Sequence, residues 1–185
     1  MATYFGRCDS SGVLLGGEPS GYENFGGYTA GNSNAVVPFT CPGSGNQDVV
    51  ALGHYCYGSS ASIRCAVYST DGNTRYAQGN AGVTPAASAA WAVHSGITQD
   101  SPLTGGNNYM LVVSSSGIIS NGYATVASNG CKYASGDYVA GGFPATLSLS
   151  SGYTHLPIVR CGVDAAAGGG LSIPVAMANY RERRN

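Results

Sequence analysis

Six cysteines, Cys8, Cys41, Cys56, Cys65, Cys131 and Cys161, and three histidines, His54, His94 and His155, are the residues of this chain best suited to chemistry. Zinc or redox use of cysteine calls for paired spacing such as C-x-x-C or a histidine cluster, and neither occurs. The even set points to disulfides instead, and spacing alone selects no pairing. If residues 55–57 and 63–67 are paired strands, Cys56 and Cys65 become cross-strand neighbours. Buried free thiols are the competing reading, because cysteine packs as a small hydrophobe. Nothing in this inventory calls for a metal or a cofactor.

Nucleophilic catalysis needs a base held by an orienting carboxylate, and no histidine sits in a motif of that kind. His54 shares strand parity with Val50, Leu52 and Cys56, which predicts a hydrogen-bonded, partly buried histidine. G-x-S-x-G, P-loop, H-E-x-x-H and EF-hand signatures are absent. Glycoside hydrolysis needs two carboxyl groups flanking one bond. The nine acidic residues are scattered instead: Asp71 reads as a turn residue, Asp48 and Asp100 border strands, and Glu18 and Glu23 lie in a glycine-rich stretch. The expectation is a protein that is not an enzyme.

Binding chemistry is better represented. Thirteen tyrosines and one tryptophan offer flat faces for sugar rings. Tyr22, Glu23, Asn24, Phe25 and Tyr28 form a candidate glycan-contact platform, with Asn32 nearby. Trp91, between small and apolar neighbours, is expected in the core. Eight basic residues against nine acidic ones leave no basic field for nucleic acid. Only Arg181, Arg183 and Arg184 are clustered.

The elements that must carry these residues read as strands. Helical periodicity is nearly absent, and short runs of Val, Ile, Tyr, Thr and Ala alternate with Gly, Asn, Ser and Pro clusters. Strands are predicted at 35–40, 48–57, 62–69, 90–95, 108–114, 123–127, 146–149 and 155–163. Asp71-Gly72-Asn73 marks a hairpin, and Ile63, Cys65 and Val67 fall on one strand face, predicted to be the core face. Three regions follow: an N-terminal strand with a glycine-rich loop over 1–34, part of the same domain; a sandwich over 35–163; and a hinge and arm over 164–185.

The run VVPFTCPGSGNQDVVALGHYCYGSSASIRCAVYSTDG, the segment around Trp91, and SPLTGGNNYMLVVSSSG together resemble a jelly-roll β-sandwich module of bacterial extracellular and phage virion proteins. An I-R-x-A-I-Y strand before a D-G turn and an L-T-G-G-x-x-Y-x-L return strand carry the resemblance, here at 63–68 with Asp71-Gly72 and at 103–111. It implies an antiparallel sandwich used as a glycan-binding appendage, a fibre adhesin or a surface decoration.

The tail supplies the remaining signal. After AAAGGG, residues Leu171, Ile173, Val175 and Met177 share one strand face, while Pro174 withholds a backbone donor and confines the strand to an edge. Such a strand either folds back onto its own sheet or, together with Tyr180, Arg181, Arg183 and Arg184, forms an assembly arm that adds to the sheet of a neighbouring copy; the hinge, the weak net charge and arginines able to pair with acids such as Asp9 or Glu18 favour the second. Charged residues are 9% of the chain, against about 25% in ordinary domains, and the net charge is −1, so repulsion between copies is weak. The expected partners are further copies of the chain, other virion or cell-surface proteins, and a glycan. No run approaches membrane-helix length, and MATYFGRCDSSG lacks the basic and apolar regions of a signal peptide. The expected location is extracellular or on a virion surface, reached after signal removal or by lysis.

Overall fold

The computed structural model describes residues 1–10, 12–13, 22–25, 32–35, 38–58, 60–125, 131–136, 138–153 and 155–165. These residues form strands and connections with no helix. Sheet one orders β1 (Thr3–Gly6), β16 (Val159–Ala165), β5 (Asn46–Tyr57), β12 (Ile119–Thr125) and β15 (His155–Pro157). Beside that path, β8 (Ala90–His94) and β10 (Leu103–Thr104) pair with β5, and β2 (Tyr22–Phe25) pairs with β12. Sheet two orders β14 (Ser150–Tyr153), β13 (Cys131–Ser135), β3 (Asn32–Ala35), β11 (Asn108–Ser115), β6 (Ile63–Tyr68), β7 (Arg75–Gly79) and β9 (Ile97–Gln99), with β4 (Phe39–Thr40) also on β11. Every strand pairing is antiparallel. From β5 onward the chain repeatedly crosses between the sheets, so sequence neighbours face one another across the core.

Alternation explains that core. Val49, Leu52, Cys56, Cys161 and Val163 of sheet one meet Ile63, Cys65, Val67, Leu111 and Val113 of sheet two in one buried cluster. Between Val49 and Leu52 the parity of β5 slips, because Ala51 and Val49 pair with the adjacent Gly162 and Val163. This bulge leaves Val50 without an opposite number and turns Leu52, His54 and Cys56 inward. The core face of β6 is the one its alternation predicted.

The opposite face of β6 is buried as well. Tyr68 and Ala66, with Met110, Val112 and Ala134, pack beneath Phe143 and Leu147 in a second cluster. A predicted strand at 146–149 is thus corrected: those residues are irregular chain lying on the outer face of sheet two, and the strand begins at Ser150. Pro144, with no N–H to donate, precedes this stretch. Leu147 N–H bonds to Gly72 O (2.8 Å), and Arg75 N–H to Ala145 O (3.0 Å).

The D-G-N hairpin joins β6 to β7. Asp71 accepts from the Ser69 hydroxyl (2.5 Å) and from Asn73 N–H (3.0 Å), and Gly72 takes a φ of 79° that a side chain would resist.

The disulfide expectation is corrected. Cys8, Cys41, Cys56, Cys65 and Cys161 are all buried free thiols, and the Cys131 side chain lies outside the described residues. Cys56 and Cys65 belong to opposite sheets rather than to a paired hairpin. Burial pushes the thiols up, to about 11 for Cys8 and Cys41 and about 12 for Cys56, and it also raises Cys65 and Cys161. At pH 8 a thiol at 11 is ionised in about one molecule per thousand. Accordingly, a thiol reagent followed by peptide mapping should leave these five unmodified in the folded protein and modify all five once denaturant is added. Rapid labelling of Cys56 or Cys161 without denaturant would contradict the packing.

Candidate assembly edge and outer face

The inner residues of β5 and β8 create a buried polar pair. His54 is completely buried and donates from Nε2 to Asn121 Oδ1 (2.5 Å). Its cross-strand register places Ala92 opposite, with His94 opposite Leu52 two residues on. Burial pushes both imidazoles down to about 4, against a hydrogen bond to Asn121 for His54 and to the Ala81 backbone for His94. Both rings are therefore neutral at pH 7, which fits a structural role. His155 has its side chain outside the described residues.

The outer face of sheet one has a different chemistry. Arg160 lies between two rings, its guanidinium carbon 5.0 Å from the Tyr4 centroid and 4.3 Å from that of Trp91. Trp91 in turn meets Tyr55 edge-on at 5.5 Å. Gly162 makes room for Tyr4, since a Cβ there would lie 2.8 Å from the ring. Arg160 Nη1 donates to Gly12 O, which ties the turn after β1 over this row. The expectation of a core Trp91 is corrected: the indole is half-buried on the outer face, because β5 pairs Tyr55 with Trp91 and both face away from the core. Sequence reasoning missed Tyr4, Tyr55 and Arg160. The available signal was the parity of β8, whose inward residues are Ala92 and His94.

Asp48 and Asp164 stand directly opposite each other on β5 and β16. The ammonium of Met1 is 3.4 Å from Asp164, whereas Asp100 pairs with Arg75 at 2.6 Å. Among the described residues no cluster of three His, Cys, Asp or Glu side chains fits a metal ion. No helix among them is long and apolar enough to cross a membrane.

Four of the five residues predicted to contact glycan share one strand. Tyr22, Glu23, Asn24 and Phe25 form β2, whose backbone pairs with 119–122 of β12. These residues are thus strand rather than loop, and their side chains, like all of Tyr28 and Glu18, lie outside the described residues. The assembly arm, with Leu171, Ile173, Pro174, Val175, Met177, Tyr180, Arg181, Arg183 and Arg184, also lies outside them.

Where the arm departs is described. β16 is paired along both edges, with β1 over 160–163 and with β5 over 159–165. The far edge of β1 is already engaged, because Tyr4 N–H donates to Ser10 O (3.0 Å). No protein-family model matches the chain, and no curated protein matches it.

Proposed function

We propose that the chain is a non-enzymatic structural subunit of an extracellular filament or a virion surface assembly, with jelly-roll-like connectivity, joined through its C-terminal arm. One observation carries this reading. The arm follows β16, whose edges are taken by β1 over 160–163 and by β5 over 159–165, so β16 itself offers the ribbon no open edge over 160–163. An alternating ribbon with one apolar face needs another sheet edge, and a neighbouring copy offers one. The scarcity of charge lets copies approach. Donation that does not close yields a filament, and donation that closes yields a ring or lattice.

In the full chain, Ile173→Asp with Val175→Asp should place charges in a buried seam and weaken association by roughly 100-fold, about 3 kcal/mol. Light scattering across a concentration series reads this directly. Equal particle size for the variant and the parent chain would remove the reading.

The aromatic row supports a second reading, a carbohydrate-binding or adhesin module. Tyr4 and Trp91 with Arg160 provide rings and a cation on one side of the sandwich, with the buried Tyr55 supporting Trp91 edge-on. Glycan-array binding abolished by Trp91→Ala in a chain that remains monomeric would favour it over assembly.

A further inference from the structure

The edge that accepts the arm can be sought among strands with a single strand partner. These are β1, β2, β4, β8, β9, β10, β14 and β15, and β8, with five residues, is the longest of them. Its ladder to β5 runs from Cys56↔Ala90 to Leu52↔His94, and among the described residues no second strand joins its other side.

Sheet edges are commonly protected by charge, proline, bulges or short length. β8 reads AWAVH and has none of the first three: no Lys, Arg, Asp, Glu or Pro, no shift in register, and a histidine held neutral by burial. Its inward residue Ala92 is short and belongs to the core cluster, so the rim of the core beside it is bordered by a small side chain. The outward residues are Trp91 and Val93, both half-buried.

Resting on the assembly reading above, we propose that the free edge of β8 accepts residues 171–178 of a second copy as an added strand. The 20 residues from 166 to 185 continue from β16 at the other flank of β5. They contain eight alternating residues, enough to span all five of β8. With Leu171, Ile173, Val175 and Met177 turned inward, the added strand extends the core past Ala92. Run parallel to β8 with that face inward, the added strand turns the nitrogen of Pro174 away from β8, so its missing donor leaves no gap in the ladder. The depleted charge of β8 is thereby explained as an interface rather than as an unprotected edge.

Replacing Val93 with photoreactive benzoylphenylalanine in the full chain tests the contact. Irradiation should yield a covalent dimer whose cross-linked peptide falls within 171–178. Amide exchange in the unsubstituted chain gives an independent check. Residues 90–94 should exchange at least about tenfold faster in Ile173→Asp/Val175→Asp than in the assembled parent. Cross-links within one chain or to another segment, or exchange at 90–94 indifferent to the arm, would overturn the assignment of β8. If particle size still depends on the arm, such a result leaves the assembly reading standing. A chain monomeric with or without the arm substitutions overturns both.

Discussion

Lowering the pH from 6.5 to 4 should unfold this protein, and the buried histidines set that window. His54 and His94 have folded values near 4, whereas a solvated imidazole titrates near 6.5. Between these values the unfolded chain binds protons that the folded chain refuses, so stability falls as pH falls. Each histidine shifts the balance by about 3 kcal/mol over the window, from about 1.4 kcal/mol per pKa unit. Together they approach the whole stability of a typical domain, about 5–15 kcal/mol. Asp71, held below its ordinary value by the Ser69 hydroxyl and Asn73, loses its contribution only below its unfolded value of 3.8. The acid transition at pH 4–6 is therefore a histidine transition.

Urea midpoints measured from pH 7.5 to 4 would show a steep decline with a midpoint inside the window. Replacing His94 by Gln should halve the slope, even if the variant starts less stable. A curve that is flat from 6.5 to 4.5 would mean that water reaches these rings. The same outcome would undermine the packing of β8 on β5, because it is burial that depresses both values.

The parts of this fold legible in the sequence are those governed by local alternation and turn chemistry. β6 and β11 declare themselves through β-branched and aromatic runs, and the hairpin between β6 and β7 through Asp71-Gly72. Parity failed where geometry breaks the period of two. The parity shared by Val50, Leu52, His54 and Cys56 holds for the last three, with His54 buried completely rather than partly, and breaks at Val50, where the bulge in β5 shifts the register. Long-range effects were invisible for a different reason. The buried outer face of β6 depends on a segment about 75 residues further on, as the Arg64–Val139 bond shows. Cysteine count misled because an even number is equally compatible with apolar packing between two sheets. Trp91 misled because small neighbours within a strand lie on both faces and do not identify the inner one.

That same segment sets the second large effect, which centres on Arg64. Its side chain is 6% exposed and, among the described residues, faces no carboxylate within ion-pair distance. It donates instead to three backbone carbonyls: Nε to Gly79 O (2.7 Å), Nη2 to Asn80 O (2.6 Å) and Nη1 to Val139 O (3.1 Å). The planar fork of arginine reaches three acceptors at fixed angles, which lysine cannot reproduce. It thereby joins the end of β7 to the segment covering sheet two. Arg64→Met keeps the stem and removes all three donors, and the buried Gly79 carbonyl losing its partner costs about 1–3 kcal/mol. An overall loss of about 2–3 kcal/mol follows. Arg64→Lys should recover only part of it.

Arg75 supplies the contrast. Its ion pair with Asp100 is partly exposed and screened, so Asp100→Asn should cost under about 1 kcal/mol. Denaturant unfolding of the three variants separates a carbonyl clamp from general loss of positive charge. Amide exchange at 138–147 should accelerate in Arg64→Met but not in Asp100→Asn, because Val139 O loses its donor only in the former. If Arg64→Met falls within about 1 kcal/mol of the parent, water replaces the guanidinium without penalty, and the cover over sheet two is held by the packing of Phe143 and Leu147 and by the backbone bonds at Gly72 and Arg75.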